Sequence, residues 1–167
     1  MIVHRDIGDV RRDPRTALTM GTFDGVHKGH RLIIEELLRQ KTILDGRSFV
    51  ITFHPHPQLV LRRHGDTVPI LTTIEERLEL LKECGVDEVL VMPFTPATAA
   101  TPWREFAQLL IDQIGIGHMI FGHDHAFGKN REGTAQAVRT LGEAAGFEVT
   151  EVSPLYIGHE TVSSTKI

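Results

Sequence analysis

The feature that most restricts this 167-residue chain is its alternation of short β-branched or aromatic runs with longer amphipathic ones. Residues 18–22 give a first strand, followed by a glycine-rich turn and by "KGHRLIIEELLRQKTIL", a helix with Leu32, Ile33, Leu37 and Leu38 as its apolar positions. "RSFVITF" (47–53) is the next strand. "TTIEERLELLKECG" carries Thr-x-x-Glu capping boxes, an apolar face of Ile74, Leu78 and Leu81, and Gly85 as its stop. "DEVLVMPF" (87–94) is a third strand. Thr101 is expected to cap a helix that starts at Pro102 and carries Trp103, Phe106, Leu110 and Ile114. "GHMIFG" (117–122), a helix over 134–145 and "FEVTEV" (147–152) complete the order β-α-β-α-β-α-β-α-β. Such an order demands a Rossmann-like, doubly wound, mostly parallel α/β sheet of about five strands with helices on both faces. Ligands of these sheets bind outside the carboxyl ends of the strands. The proline-bearing stretches 54–72 and 92–102 follow strands two and three, and so fall on that side.

One domain over 1–167 is expected, since a chain of this length buries about two-thirds of its unfolded surface in one core. With 22 acidic and 18 basic residues the formal charge is −4, which argues against a dedicated nucleic-acid binder. Cys84 is the sole cysteine, so no internal disulfide and no multi-cysteine zinc site is possible. The amino terminus is charged, without the apolar core of a signal peptide, and no run reaches the ~18 apolar residues of a membrane span. No membrane association and a cytoplasmic location are expected.

The turn "MGTFDGVHKGH" (20–30) sits where strand one meets the first helix. The first-turn amides there have no helical partners and the dipole is positive, which favours an anion. Gly21 and Gly25 permit turn geometry, and Gly29 permits close approach of a ligand to the backbone. His27 and His30, three apart, share a helix face as a pair of donors. A phosphate chain suits this arrangement. Singly, each residue is equally compatible with a solvated glycine-rich turn. Neither G-x-x-x-x-G-K-[ST] nor G-x-G-x-x-G occurs in the chain.

"GTFDGVHKGH" is similar to the signature of the FMN adenylyltransferase module of prokaryotic bifunctional FAD synthetases, members of the HxGH nucleotidyltransferase superfamily. The tetrad is "HKGH", His27 to His30. Three further blocks match in order and spacing: "TFHPHP" (52–57), "FGHDHAFGKNREG" (121–133) and "VSSTKI" (162–167). In the third block the family usually reads Gly-x-Asp-Phe-Arg-Phe-Gly, whereas here Gly122, His123 and Asp124 precede His125, Ala126, Phe127 and Gly128. The family normally continues past this point with Arg and a riboflavin kinase β-barrel, so no kinase activity is expected of these 167 residues.

The resemblance implies transfer of AMP from ATP to FMN, giving FAD and pyrophosphate in FAD biosynthesis, with the FMN phosphate as nucleophile. The protein then supplies position and charge stabilisation. It implies catalytic roles at the triphosphate for His27, His30, Ser164 and Thr165, with Ser163 beside them. It further implies nucleotide or flavin contacts from Gly21, Thr22, Phe23, Asp24, Gly29, Phe53, His54, Pro55, Gly122, Asp124 and Arg131. Mg2+ would arrive with ATP, held largely by phosphates, with Asp124 as its protein ligand.

Rival readings are a catalytically silent nucleotide or flavin sensor, and adenylyl transfer to another phosphate such as phosphopantetheine or nicotinate mononucleotide. Ten histidines also raise a metal-binding protein, because His54 and His56, and His123 and His125, would share a side of extended chain. Trp103 and Phe106 are read as core, Cys84 as a small buried apolar residue, and Phe53 as either core or flavin contact.

Overall fold

The β-α crossovers lay six parallel strands into one sheet in the computed structural model, which describes residues 1–62, 67, 69–157 and 160–161. In chain order the elements are β1 (Ile2–His4), β2 (Thr16–Met20), α1 (Lys28–Leu44), β3 (Arg47–His54), α2 (Pro57–Leu61), α3 (Ile74–Glu83), β4 (Glu88–Pro93), α4 (Pro96–Ala100) and α5 (Trp103–Gln113). Then follow β5 (His118–Gly122), β6 (Ala126–Phe127), β7 (Gly133–Thr134), α6 (Ala135–Ala145), β8 (Glu148–Val152), β9 (Tyr156–Ile157) and β10 (Glu160–Thr161). The sheet order is β1-β4-β3-β2-β5-β8, and β6/β7 and β9/β10 form small antiparallel pairs. From β2 the chain adds β3 and β4 on one side, then β5 and β8 on the other. The order therefore reverses at β2/β5, and a crevice opens beyond Met20 and Gly122.

Six strands replace the expected five because β1 pairs along its three residues with β4 at the sheet edge. β2 runs two residues earlier than 18–22, since its ladders begin opposite Arg47 and His118 and end at Met20 opposite Ile51. Thr101 does not cap α5. It closes α4, a five-residue helix begun by the Thr95 side chain with Pro96 in its first turn, and Pro102 leads into α5 without a side-chain cap. Thr73 and Glu76 form the capping box of α3 as expected.

Both sheet faces are covered. Leu18, Met20, Phe49 and Ile51 pack against Trp103, Phe106 and Leu110 of α5 and Val138 of α6. Ala17 and Val50 meet Ile34 and Leu37 of α1 and Leu78 and Leu81 of α3 on the other face. Each large side chain so buried contributes about 1.5–3 kcal/mol relative to exposure. In α1 the deepest residues are Ile34 and Leu37, with Leu32, Ile33 and Leu38 at the half-buried margins. Trp103 and Phe106 pack in the core, and Phe106 also reaches the wall of a cavity. Cys84 is only half-buried, at 3.5 Å from Arg31 Nη1, so it is not the enclosed apolar residue the sequence suggests.

Candidate active site

The turn between β2 and α1 is built from unusual backbone. Phe23 (φ 50°), Gly25 (φ 74°) and Val26 (φ 38°) all lie at positive φ, where a β-branched residue is a genuine outlier. What holds them is burial. Phe23 and Val26 are each 1% exposed within the α1/α3 layer, so the core over-determines the strained turn. At Gly25 a Cβ would lie 2.8 Å from Leu71 Cδ1, so glycine is required by both conformation and space. Gly21 serves differently from the expected turn residue: it keeps a backbone outside the left-handed region and leaves room for the Phe23 ring, 3.3 Å from where its Cβ would be.

Asp24 is the anchor of this turn. Its carboxylate accepts from Leu71 N (2.9 Å), Thr72 N (2.9 Å) and Thr72 Oγ1 (2.8 Å), and Arg77 Nη2 stands 3.9 Å away. Burial opposes its ionisation, but the Leu71 and Thr72 donors and the Arg77 guanidinium outweigh that and hold its pKa below the ordinary 3.8. Asp24 is thus committed inside the protein and lines neither cavity below, contrary to its expected ligand contact. Arg77, buried on α3, donates to Thr52 Oγ1 (3.1 Å) and Phe53 O (3.2 Å), while Thr52 Oγ1 donates to Thr22 O (2.9 Å). Arg77 and Thr52 are not among the residues expected at the site, and Thr72 is expected only as a cap of α3. Arg77 lies three residues from Ile74 and four from Leu81, on the apolar face of α3, which is the signal that marks it.

His27 caps α1, its Nδ1 accepting from His30 N at 3.3 Å, which places its proton on Nε2. The two imidazoles are stacked with centroids 3.6 Å apart, and Phe23 packs on His30 at 5.0 Å. Burial pushes His27 below 6.5 despite the pull of Asp24. His30 is pushed down to about 3 by burial first and by His27 second. The pair is therefore neutral at pH 7, each ring donating through one N–H without a cationic charge.

Two cavities meet above this turn. The first, about 450 Å³, is lined by Gly21, Thr22, Phe23, His27, Gly29, His30, Gly122 and Asp124 among others. The second, about 700 Å³, takes Phe53, Phe94, Phe106 and Phe127 for its apolar walls and carries the opposite charges of Asp124 and Arg131. They share Gly21, Thr22, Asp124 and His125. Phe53 packs on the core and stands edge-on to Phe94 at 5.7 Å on the cavity wall. Arg131 Nη2 donates to Asp124 O (2.9 Å), tying the β5 and β7 ends of this loop together.

His54 and Pro55 are exposed and line neither cavity, which departs from their expected contact role. His56 does not face the same side as His54: extended chain ends at His54, and buried His56 caps α2 by accepting from Gln58 N. His123 and His125 flank a turn, with His123 exposed and His125 stacked on Phe121. The period-two argument for a histidine metal site therefore fails at both pairs, and among the described residues no three His, Cys, Asp or Glu side chains converge to hold a metal. Ser163, Ser164 and Thr165 lie outside the described residues.

A family model described as FAD synthetase matches residues 9–166. The chain belongs to the FAD synthetase family. It is 34% identical over 151 residues to the bifunctional riboflavin kinase/FMN adenylyltransferase of Escherichia coli (strain K12), an alignment that takes in 90% of this chain and 48% of that protein. The chain spans about half the length of the curated relatives it matches, and the FAD synthetase match falls on the part that holds the histidine turn. Among solved structures, one described as a macrolide-efflux protein from Streptococcus pneumoniae superposes with a TM-score of 0.85 at 25% identity, covering 99% of this chain and 55% of the other. Pantothenate synthetase from Thermus thermophilus shares the fold, with a TM-score of 0.65 at 17% identity over 99% of this chain and 67% of its own. No helix among the described residues of this FAD synthetase family member is long and apolar enough to cross a membrane.

His30, His125, His27, His56 and His118 are all held below 6.5, in each case chiefly by burial. Below pH 6.5 the unfolded chain binds protons that the folded chain refuses, so stability falls as pH falls towards the folded values. His30 and His125, pushed down to about 3 and about 4, should each cost about 2 kcal/mol between pH 6.5 and pH 5. Urea unfolding at pH 7 and pH 5 measures it. Equal stability at the two would mean that these rings are not buried as neutral groups.

Proposed function

We propose that the chain transfers AMP from ATP to FMN, giving FAD and pyrophosphate. The observation that carries this reading is the pairing of a histidine-lined cavity at a helix start with an aromatic cavity that shares Gly21, Thr22, Asp124 and His125 with it. A dinucleotide with a flat ring at one end and a phosphate bridge needs those two environments, joined. Membership of the FAD synthetase family supports the same chemistry.

In this reading the flavin ring lies among Phe53, Phe94, Phe106 and Phe127, and the triphosphate lies against the α1 amino terminus. An FMN phosphate oxygen attacks the α-phosphorus of ATP, and the bond from that phosphorus to the α,β-bridging oxygen breaks. No protein nucleophile is needed. His27 and His30 donate to oxygens that gain charge as pyrophosphate leaves. Being neutral, they add hydrogen bonds whose strength comes from a fixed, half-enclosed position. Their stack, the His27 cap and the Asp24–Arg77 anchor fix the two donors before substrate arrives. Arg131 supplies positive charge to the second cavity, and Ser163, Ser164 and Thr165 are assigned to phosphate by their sequence block. Mg2+ fits as an ion held mostly by phosphates, with the exposed Asp124 carboxylate at the cavity junction as its protein ligand. When bound it neutralises phosphate charge.

Turnover with ATP, Mg2+ and FMN, nicotinate mononucleotide or phosphopantetheine in parallel tests the acceptor. FAD is the expected product, and an adenylylated product from another acceptor instead would overturn the assignment to flavin.

A further inference from the structure

Buried polar atoms in proteins are paired in about nine cases of ten, and the exceptions call for an explanation, often a ligand. Three buried side-chain atoms among the described residues lack a partner: His30 Nδ1, Arg77 Nε and His125 Nε2. His30 and His125 line the cavities, whereas Arg77 lines neither and is enclosed behind the turn. His30 belongs to the stacked pair, and Arg77 already donates elsewhere through its guanidinium. His125 is the one the chemistry above leaves unused.

Its position is specific. The imidazole lies flat on Phe121, centroids 4.8 Å apart and planes 11° from parallel, with Phe127 at 6.2 Å. Its backbone amide donates to Gly122 O at 3.1 Å, fixing the residue just past the end of β5. The residue borders both cavities at their junction. A half-turn about Cβ–Cγ keeps the plane on Phe121 and carries Nε2 to the place of Cε1, so the ring can change partners without losing its stack.

Whatever crosses this junction is a chain, because the flat ring stays on the aromatic side and the phosphates on the histidine side. We propose that His125 is a substrate-contacting residue that hydrogen-bonds the hydroxylated chain linking the acceptor's ring to its phosphate. This rests on the reading of FMN as acceptor. His125 then distinguishes a polyol-bearing flavin phosphate from one with a plain alkyl chain, because an alkyl chain leaves the buried nitrogen unpaired.

Calorimetry tests it on the 167-residue chain and its His125→Phe variant, with FMN and with a flavin phosphate whose five-carbon side chain carries no hydroxyls. His125→Phe keeps a ring on Phe121 and removes the nitrogens. The variant is expected to bind FMN roughly three- to tenfold more weakly and the deoxy analogue equally well. Its ligand-free Tm is expected to match or exceed the parent's, because an unpaired buried polar atom is gone, whereas a purely structural histidine would give a lower one. Equal FMN affinity in the two proteins, or an equal loss for both flavins, overturns the role of His125 while leaving the acceptor intact. A parent that binds neither flavin overturns the acceptor reading, and this proposal with it. Should the Phe variant not fold, His125→Leu carries the same comparison.

Discussion

His30→Ala is expected to lose about 10²–10³-fold in kcat, the scale on which removal of one donor to a charge-gaining oxygen acts in other enzymes, about 2.7–4 kcal/mol. The loss should fall equally on kcat and kcat/KM, because the hydrogen bond strengthens only as pyrophosphate charge develops. Steady-state kinetics of the variant measures it. A rise in KM with unchanged kcat would make His30 a binding group and not a donor to the transition state. His27→Ala is expected to combine a similar loss with a lower stability, since His27 also caps α1 through the His30 amide.

Asp24→Ala is expected to be the most destabilising single change in the site. It strands the Leu71 amide, the Thr72 amide and the Thr72 hydroxyl, and leaves Arg77 buried opposite no charge. Removing one member of a buried ion pair costs about 3–5 kcal/mol. For a chain of this size that lowers Tm by about 6–20 °C. A thermal melt reads it directly, and an unchanged Tm would show that the strained turn does not depend on this anchor. The same geometry explains why this turn can hold Phe23 and Val26 at positive φ: the distant partners of Asp24 and the packing of the two side chains offset the strain.

Much of the fold was legible because it rests on local pattern. The helix read from "KGHRLIIEELLRQKTIL" spans Lys28–Leu44, and the strands read at 47–53, 87–94, 117–122 and 147–152 correspond to β3, β4, β5 and β8 within a residue or so at each end. β1, α2 and α4 escaped, being three to five residues long and too short to show a period. The position of the histidine turn at a strand's carboxyl end was legible for the same reason, since it follows from element order. What the sequence did not show was where side chains spend their hydrogen bonds. Asp24 reads as a ligand contact until Leu71 and Thr72, 47 and 48 residues away, are seen to occupy it. The paired histidines at 54/56 and 123/125 mislead because the period-two rule holds only in extended chain, and the chain turns within each pair. The cavity junction, made by Gly21, Thr22, Asp124 and His125 from two distant loops, has no trace in local spacing at all.

In the proposed reaction the two adjoining cavities form one site for joining AMP to FMN. The most direct measurement is the initial rate of product formation by the purified chain with ATP, FMN and Mg2+, following FAD and pyrophosphate together. The two are expected to appear in equal amounts, and both rates are expected to fall together, by about 10²–10³-fold, in His30→Ala. Binding of ATP and FMN with no FAD formed would contradict it, and would make this member of the family a sensor of its ligands instead of an enzyme that joins them.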